Sequence, residues 1–470
     1  MSAEETAGET IENHPFDEIE VGDRARITRT LTADDETLFA RLSGDLNPVH
    51  LEEGFAATPR SAHSMWCGAL VSAVLGTKLP GPGTLYVGQT LRFHRRILTG
   101  ETLTTEVIVR RKHAENKLVV LDFRCLDHSE QEVATGFAEV IAPTRKFKGQ
   151  LAELPDVSLR HHPRYDRIIE RARGGTPVTT AIAHPCDESS LAGAVDAAKE
   201  GFILPILVGP AAKICAAADA CKLDIRGFEL VDVPHSHAAA EKAVELVRLG
   251  KAELLMKGSL HTDELMGAVV KKETGLRTER RISHCFILDV PSYPLPLFIT
   301  DAAVNIFPTL EDKMHIVQNA IDLAIALGVE RPKVAILSAV ETINPKIQST
   351  IDAAALCKMA DRGQITGGVL DGPFALDNAI SKAAAKIKGI TSPVAGEADI
   401  LVVPDLEAGN MLAKNLTFLA GADSAGIVLG ARVPIILTSR ADSVRARMAS
   451  CAVAALYARA RQNPAAKAAE

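Results

Sequence analysis

None of the eight cysteines in this 470-residue chain forms a Cys-x-x-Cys pair, so neither a zinc-ribbon spacing nor a disulfide framework is suggested. No apolar run approaches the roughly 18 residues a membrane-crossing helix needs, so no membrane partner is expected. Basic excess is missing too. Lys and Arg number 52 against 59 Asp and Glu, for a formal net charge of −7. That balance leaves no electrostatic footprint for nucleic acid. The opening stretch "MSAEETAGETIENHPFDE" is acidic and has no apolar centre, so it does not read as a secretory leader, and a reducing cytoplasm is the expected compartment. There is no Gly-x-Gly-x-x-Gly junction and no Walker A loop, which argues against a dinucleotide or nucleoside triphosphate. "HSH" (235–237) has a metal-like spacing, but no third ligand is recognisable. A helix start after Pro234 is the expected role, and no metal is expected. Internal repeats and low-complexity segments are absent.

Apolar residues make up 47% and charged residues 24%, ordinary for a globular protein. The length predicts two or three domains. Residues 1–15 read as a disordered acidic tail. From 16 to 145 one apolar helix, "MWCGALVSAVLGTKL" (65–79), stops at "PGPG" and is followed by alternating strands. That order predicts an α+β domain with the helix wrapped by an antiparallel sheet, and the lone Trp66 in its core. Residues 146–165 read as a linker. From 166 to 465 short apolar runs such as "ILPILVG", "KVAILSA" and "DILVVPD" alternate with helical stretches. This grammar predicts a largely parallel sheet covered by helices, split into two subdomains, the second spanning roughly 285–428. The end, 459–470, reads as frayed.

Two places carry chemistry. The first is "SGDLNPVHLEE" (43–53), which sets a carboxylate, an amide, a proline and an imidazole in six residues. A turn uses Gly, Asp, Asn and Pro but has no need of His. One reading is a turn with an incidental His50. The other is an acid/base pair, Asp45 and His50, whose separation Pro48 stiffens and whose turn Asn47 holds. The helix start at "AHSMW" (62–66) adds backbone N–H donors suited to an oxyanion. The second place is a pair of strand–turn–helix junctions. "LLMKGSLHTDELM" (254–266) runs through Ser259 to a helix near Thr262. "VPIILTSRADSVRARMAS" (433–450) runs through Ser439 and Arg440 to a helix capped by Asp442 or Ser443. Such junctions present N–H donors suited to phosphate, and Arg440 adds a guanidinium clamp. Plain helix capping with a solvated Arg is the alternative.

"SGDLNPVHLEEGFA", "AHSMWCGALVSAVLG" and "LPGPGTLYVGQTLRFHRRILTGETL" together resemble the MaoC-like (R)-specific enoyl-CoA hydratases. The resemblance implies a hot-dog fold and a catalytic Asp45 and His50, with Ser72 lining the site. Two departures stand out. Ser64 replaces the glycine of the family's His-Gly-Met, and the loop from 51 to 62 is short. Either can narrow the site, so a hot-dog module that only binds CoA or builds an oligomer stays open. "MKGSLHTDELMGAVV", "GQITGGVLDGPFALDNAIS" and "ADILVVPDLEAGNMLAKNLTFLAGADSAGIVLGARVPIILTSRADS" are similar to the phosphate acetyltransferase/butyryltransferase family. That likeness implies a two-subdomain α/β fold akin to isocitrate and isopropylmalate dehydrogenases, with the site in the cleft between the lobes. The likeness further implies that Ser439 and Arg440 bind phosphate, with Ser259 and Thr262 as secondary contacts. The polar turns 301–305 and 371–379 are expected to line the cleft. Acetyltransferase members carry an aspartate six positions after that Arg as the base for the CoA thiol. Here Ala446 stands there, and Asp442 and Ser443 are not simple substitutes. This leans toward the butyryltransferase-like branch or toward an enzyme of low activity.

The combined expectation is a fused enzyme, enoyl-CoA hydratase and phosphate acyltransferase. Acyl-CoA, CoA, inorganic phosphate and acyl phosphate are its substrates, it has no further cofactor, and by analogy it is a homo-oligomer. The alternative is an acyltransferase alone.

Overall fold

A computed structural model describes residues 10–51, 61–150, 163–438 and 442–462. The chain divides into two compact units, residues 1–159 and 160–470.

In the first unit, strand β1 (Thr10–Glu12) precedes β2 (Arg24–Thr30), helix α1 (Ala33–Ser43), the short α2 (Pro48–Leu51) and α3 (Trp66–Thr77). Strands β3 (Leu85–Phe93), β4 (Thr102–His113), β5 (Leu118–Leu126), β6 (Glu132–Ile141) and β7 (Lys148–Gln150) follow. Five strands form one antiparallel sheet in the order β2-β4-β5-β6-β3. Leu103, Val107 and Val109 alternate along β4 and are buried, as a half-buried strand requires. They join Trp66, Cys67, Leu70, Val71, Val74 and Leu75 of α3 in one core, the i, i+3, i+4 face of that helix. Gly136 allows β6 to approach β3. A Cβ there would lie 2.0 Å from the Thr90 carbonyl oxygen.

The expected tail and linker need correction. Thr10–Glu12 pairs antiparallel with Lys148–Gln150. Asn13 is buried, its Nδ2 donating to the carbonyls of Pro82 (3.0 Å) and Arg145 (2.9 Å) while its Oδ1 accepts the Phe147 N–H. Residues 10–15 and the start of the 146–165 segment are therefore a clasp on the domain, made by backbone pairing that the polar composition conceals. Pro163–Ala172, at the other end, is helical.

The second unit holds strands β8 (Val178–Ala183), β9 (Ile203–Gly209), β10 (Glu229–Asp232), β11 (Leu254–Lys257), β12 (Ser283–Asp289), β13 (Leu297–Thr300), β14 (Lys333–Leu337), β15 (Val369–Phe374), β16 (Ile400–Val402), β17 (Asp423–Leu429) and β18 (Ile435–Ile436). They form one continuous sheet, β10-β9-β8-β11-β18-β17-β12-β13-β16-β14-β15. The flanking strands are parallel, but β17 runs antiparallel to both β18 and β12, and β12 antiparallel to β13. The connections 290–296 and 430–434 are too short for a helical crossover, so these neighbours reverse direction. One face of the sheet packs a single large core that includes the alanine-rich helix Val444–Gln462. On the other face two smaller cores lie at either side of the antiparallel centre.

Candidate active sites

α1 ends at Gly44, whose φ of 75° turns the chain sharply and whose N–H bonds the Ala40 carbonyl. Asp45 follows at once. Its Oδ1 accepts the Asn47 N–H, and Asn47 Oδ1 accepts the Val49 N–H, each at 3.2 Å. Pro48 opens α2, the position where its missing N–H matters least. Asn47 is thus a turn-holder through its side chain. This turn brings His50 back toward Asp45, with His50 Nε2 3.8 Å from Asp45 Oδ2. The other ring nitrogen, Nδ1, donates to the Ser61 carbonyl at 2.6 Å. Because a carbonyl can only accept, Nδ1 carries a hydrogen, and in the neutral ring Nε2, on the carboxylate side, is then the accepting nitrogen. At 3.8 Å, Nε2 and Oδ2 are too far apart to bond directly but can share one water.

A third group completes the cluster. His63 is almost fully buried, and its Nε2 donates to the Asp45 carbonyl at 3.0 Å. Its ring lies 4.0 Å from that of His50. The donor atoms of Asp45, His50 and His63 all fall within 4.8 Å of one another. His63 was visible in the sequence only as part of a motif. Its anchoring of Asp45 depends on the fold. Ser64 is half-buried in the turn before α3, where its carbonyl accepts the Cys67 N–H. α3 begins with no side-chain cap on Met65, and the expected oxyanion donors at its start are spent, the Trp66 N–H on the His63 carbonyl (3.0 Å) and the Cys67 N–H on the Ser64 carbonyl (3.1 Å). Ser72 is an exposed position of α3 and is not one of the three clustered groups. Residues 52–60 of the short loop lie outside the described residues.

In the second unit a cavity of about 650 Å³ opens over the antiparallel centre of the sheet. Two helix N-termini reach it. One is that of the helix Thr262–Val270, with His261 and Thr262 in the lining. The other is that of Val444–Gln462, with Asp442, Ser443 and Ala446. Ser443 is the cap of the latter, its Oγ accepting the Ala446 N–H at 3.1 Å. Lys257, buried at the end of β11, and Lys414 bring positive charge, so the cavity combines two sources of N–H donors with two ammonium groups. Ser439 and Arg440 lie outside the described residues, but the chain on both sides of them, Thr438 and Asp442, lines this cavity.

Three expectations change here. Ser259 does not line the cavity. Its Oγ donates to the His184 carbonyl (2.9 Å) and accepts the Cys186 N–H (3.2 Å), tying the ends of β11 and β8 together. None of 371–379 lines the cavity. Within 301–305 only Ala303 does. Asp301 instead accepts the N–H groups of His284, Ala303, Val304 and Asn305 and the Asn305 side-chain amide. Burial nevertheless raises its pKa above the usual carboxylate range. The helix start expected at 235–237 is present, with His235 Nδ1 accepting the Ala238 N–H. Lys257, Lys414, His284 and Phe286 line the cavity without belonging to either sequence motif's expected contacts. A lysine closing the apolar run "LLMK" was a usable signal for the first. The others are brought in by neighbouring strands and a distant helix.

A family model described as phosphate acetyl/butaryl transferase matches residues 235–455, and one described as MaoC like domain matches 17–123. The phosphate acetyltransferase of Rhizobium meliloti is 69% identical over 299 residues, which are 64% of this chain and 95% of that protein. The chain belongs to the phosphate acetyl/butyryl transferase family. Its first unit carries a MaoC-like domain fused ahead of the transferase. Among solved structures, a branched-chain phosphotransacylase from Enterococcus faecalis V583 is 32% identical, covering 60% of this chain and 99% of its own, with a TM-score of 0.53. The R-hydratase PhaJ1 from Pseudomonas aeruginosa is 43% identical, covering 32% of this chain and 99% of its own, with a TM-score of 0.31. In this transferase the second unit accordingly has the phosphotransacylase fold, and the cavity over β12 and β17 is its candidate site.

Proposed function

We propose that the protein is a bifunctional acyl-CoA enzyme. Its first unit hydrates a trans-2-enoyl-CoA to a (3R)-hydroxyacyl-CoA, and its second exchanges CoA for phosphate on an acyl group. The hydratase reading is carried by the tautomer of His50. With Nδ1–H spent on Ser61, Nε2 and the Asp45 carboxylate bracket one water between them. That water gives its oxygen to the β-carbon and a proton to the pair, and the α-carbon takes a proton back.

The transferase reading is carried by family membership together with the cavity's paired helix N-termini and lysines. A phosphate oxygen attacks the thioester carbonyl, and the CoA thiolate leaves. Ser439 and Arg440 are the proposed phosphate grip. With Ala446 where a dedicated base is expected, Lys257, Lys414 and Arg440 are the proposed groups that favour the thiolate without one, against the carboxylates of Asp423 and Asp442 in the same lining.

The two-lobed, dehydrogenase-like description fits a sheet whose parallel ends flank an antiparallel centre. A homo-oligomer is supported by β3, an edge strand exposing Leu85, Val87 and Phe93. Neither reaction calls for a cofactor beyond CoA and phosphate, and the cytoplasm is the proposed compartment. No described helix is long and apolar enough to cross a membrane.

Single substitutions separate the two sites. Asp45→Asn abolishes hydration of crotonyl-CoA and spares phosphate-dependent CoA release, while Arg440→Ala does the reverse. Hydration that survives Asp45→Asn removes Asp45 from the hydratase site, and a wild-type protein that releases CoA with phosphate but hydrates no enoyl-CoA leaves an acyltransferase with a hot-dog domain serving binding or assembly.

A further inference from the structure

One residue of the transferase cavity has no role in the scheme above. His284 sits on β12, 1% exposed, and lines the cavity. Its backbone is held at both ends, the N–H by Asp301 Oδ1 (3.2 Å) and the carbonyl by Thr300 Oγ1 (2.9 Å). Its ring packs edge-on against Phe286, 4.4 Å between centroids. Yet its Nδ1 is buried with no hydrogen-bond partner. A histidine kept only for packing leaves a polar group unsatisfied at some expense, and buried polar atoms are otherwise bonded. The ring is therefore positioned by its backbone and neighbours, and its nitrogens are not what hold it.

The tautomer follows. A neutral imidazole has one N–H and one bare nitrogen. Burying an unpaired donor is rarer than burying an under-used acceptor. The sealed Nδ1 is thus the bare nitrogen, and Nε2 carries the hydrogen. In front of Nε2 lies Gly426 of β17. A Cβ at that position would stand 3.0 Å from Nε2. Glycine inside a strand weakens it and marks a place where something approaches the backbone closely. Here what approaches is the imidazole itself, and a side chain at 426 would push the ring from its place.

Resting on the transferase reading, we propose that His284 Nε2–H is a hydrogen-bond donor to the acyl carbonyl oxygen during transfer. When a phosphate oxygen forms its bond to the carbonyl carbon, the C=O π pair moves onto oxygen, and Nε2–H stabilises it there without giving up its proton. The pair returns, the C–S bond breaks, and the thiolate leaves to take a proton from water. Acyl phosphate and CoA are the products. Burial lowers the imidazole pKa to about 4, so the ring is a neutral donor at neutral pH. A neutral imidazole of this kind is an established electrophile in enzymes.

The test is steady-state kinetics of phosphate-dependent CoA release by the full chain. His284→Leu is expected to lower kcat about 10²- to 10³-fold, the usual loss for one oxyanion donor, with KM for acyl-CoA and phosphate within about threefold. His284→Gln, whose amide nitrogen reaches the place of Nε2, is expected to keep about a tenth of wild-type kcat or more. Gly426→Ala, which crowds Nε2, is expected to lower kcat about tenfold or more. Far-ultraviolet circular dichroism and the urea midpoint of the second unit serve as the folding control in each sample, with hydration by the first unit as the control for enzyme concentration. If His284→Leu does not fold, the Gln and Gly426→Ala variants decide. Wild-type-like kcat in His284→Leu, or in Gly426→Ala where that variant decides, overturns the inference and leaves the transferase reading intact. So does a loss confined to KM, or a Gln variant as inactive as Leu. A wild-type protein with no phosphate-dependent CoA release overturns both.

Discussion

Replacing His63 with alanine leaves Asp45 and His50 chemically intact and removes what holds them. His63 Nε2–H bonds the Asp45 carbonyl at 3.0 Å, and its ring stacks 4.0 Å from His50 and 5.3 Å from Phe39. Loss of a hydrogen bond of this kind amounts to about 1 kcal/mol, and loss of the ring contacts to about another 1 kcal/mol. Together, about 2 kcal/mol shifts the equilibrium between the ordered turn and looser forms about 30-fold. Hydration needs Oδ2 and Nε2 at a separation that one water can bridge, and misplacement by about 1 Å can lower a rate about 10²-fold. His63→Ala is therefore expected to reduce kcat/KM for crotonyl-CoA hydration by about 10- to 100-fold. Phosphate-dependent CoA release in the same sample should stay unchanged. His63→Gln, whose amide can still donate to the Asp45 carbonyl, should recover much of the loss. The assay is the fall in absorbance of the enoyl thioester. A His63→Ala enzyme hydrating within twofold of wild type refutes the reasoning, because it shows that the turn holds its shape without the ring.

Other outcomes follow from the same geometry. Lys313 and Asp352 form a buried ion pair at 2.7 Å, so Lys313→Met strands a carboxylate and should destabilise the transferase unit by about 3–5 kcal/mol, read as a lower urea midpoint for loss of transfer. His284 keeps a pKa near 4 when folded against 6.5 for the free ring, so the unfolded chain binds the proton first and stability falls as pH drops through that window. At pH 5 this amounts to about 2 kcal/mol, which His284→Gln should abolish in a comparison of urea midpoints at pH 7 and pH 5. Gly136→Ala forces a methyl against the Thr90 carbonyl and should destabilise the hot-dog unit by about 3 kcal/mol, with hydration lost on warming before transfer is. Treatment with a chelator should leave hydration within about twofold, since His63 Nε2 is already committed to the Asp45 carbonyl and two remaining donors make a poor metal site.

Much of this protein was legible in its residues. Gly44, Asn47 and Pro48 dictate a turn by local sterics and side-chain-to-backbone bonds, so the nearness of Asp45 and His50 was legible, while an acid/base role for them came from the resemblance. The apolar face of α3 and the alternation of β4 follow from periodicity, and the start of the helix Val444–Gln462 from its Ser443 cap. What needed the folded chain were relations between segments far apart in sequence. Residues 10–15 looked like a tail because their pairing with 148–150 satisfies backbone groups, which carry no side-chain signature. Ser259 looked like a ligand contact until His184 was seen to occupy its hydroxyl. His284 gave no sign within "SHCFILD" of its meaning, because its environment is made by Gly426 and Asp301, on other strands and turns. The sequence alone determined the turn that carries Asp45 and His50 and, through resemblance, the two domain types, since both rest on local pattern. Tertiary structure decided which polar groups face a cavity and which are consumed in holding it open, because burial and hydrogen-bond satisfaction are settled only when distant strands meet.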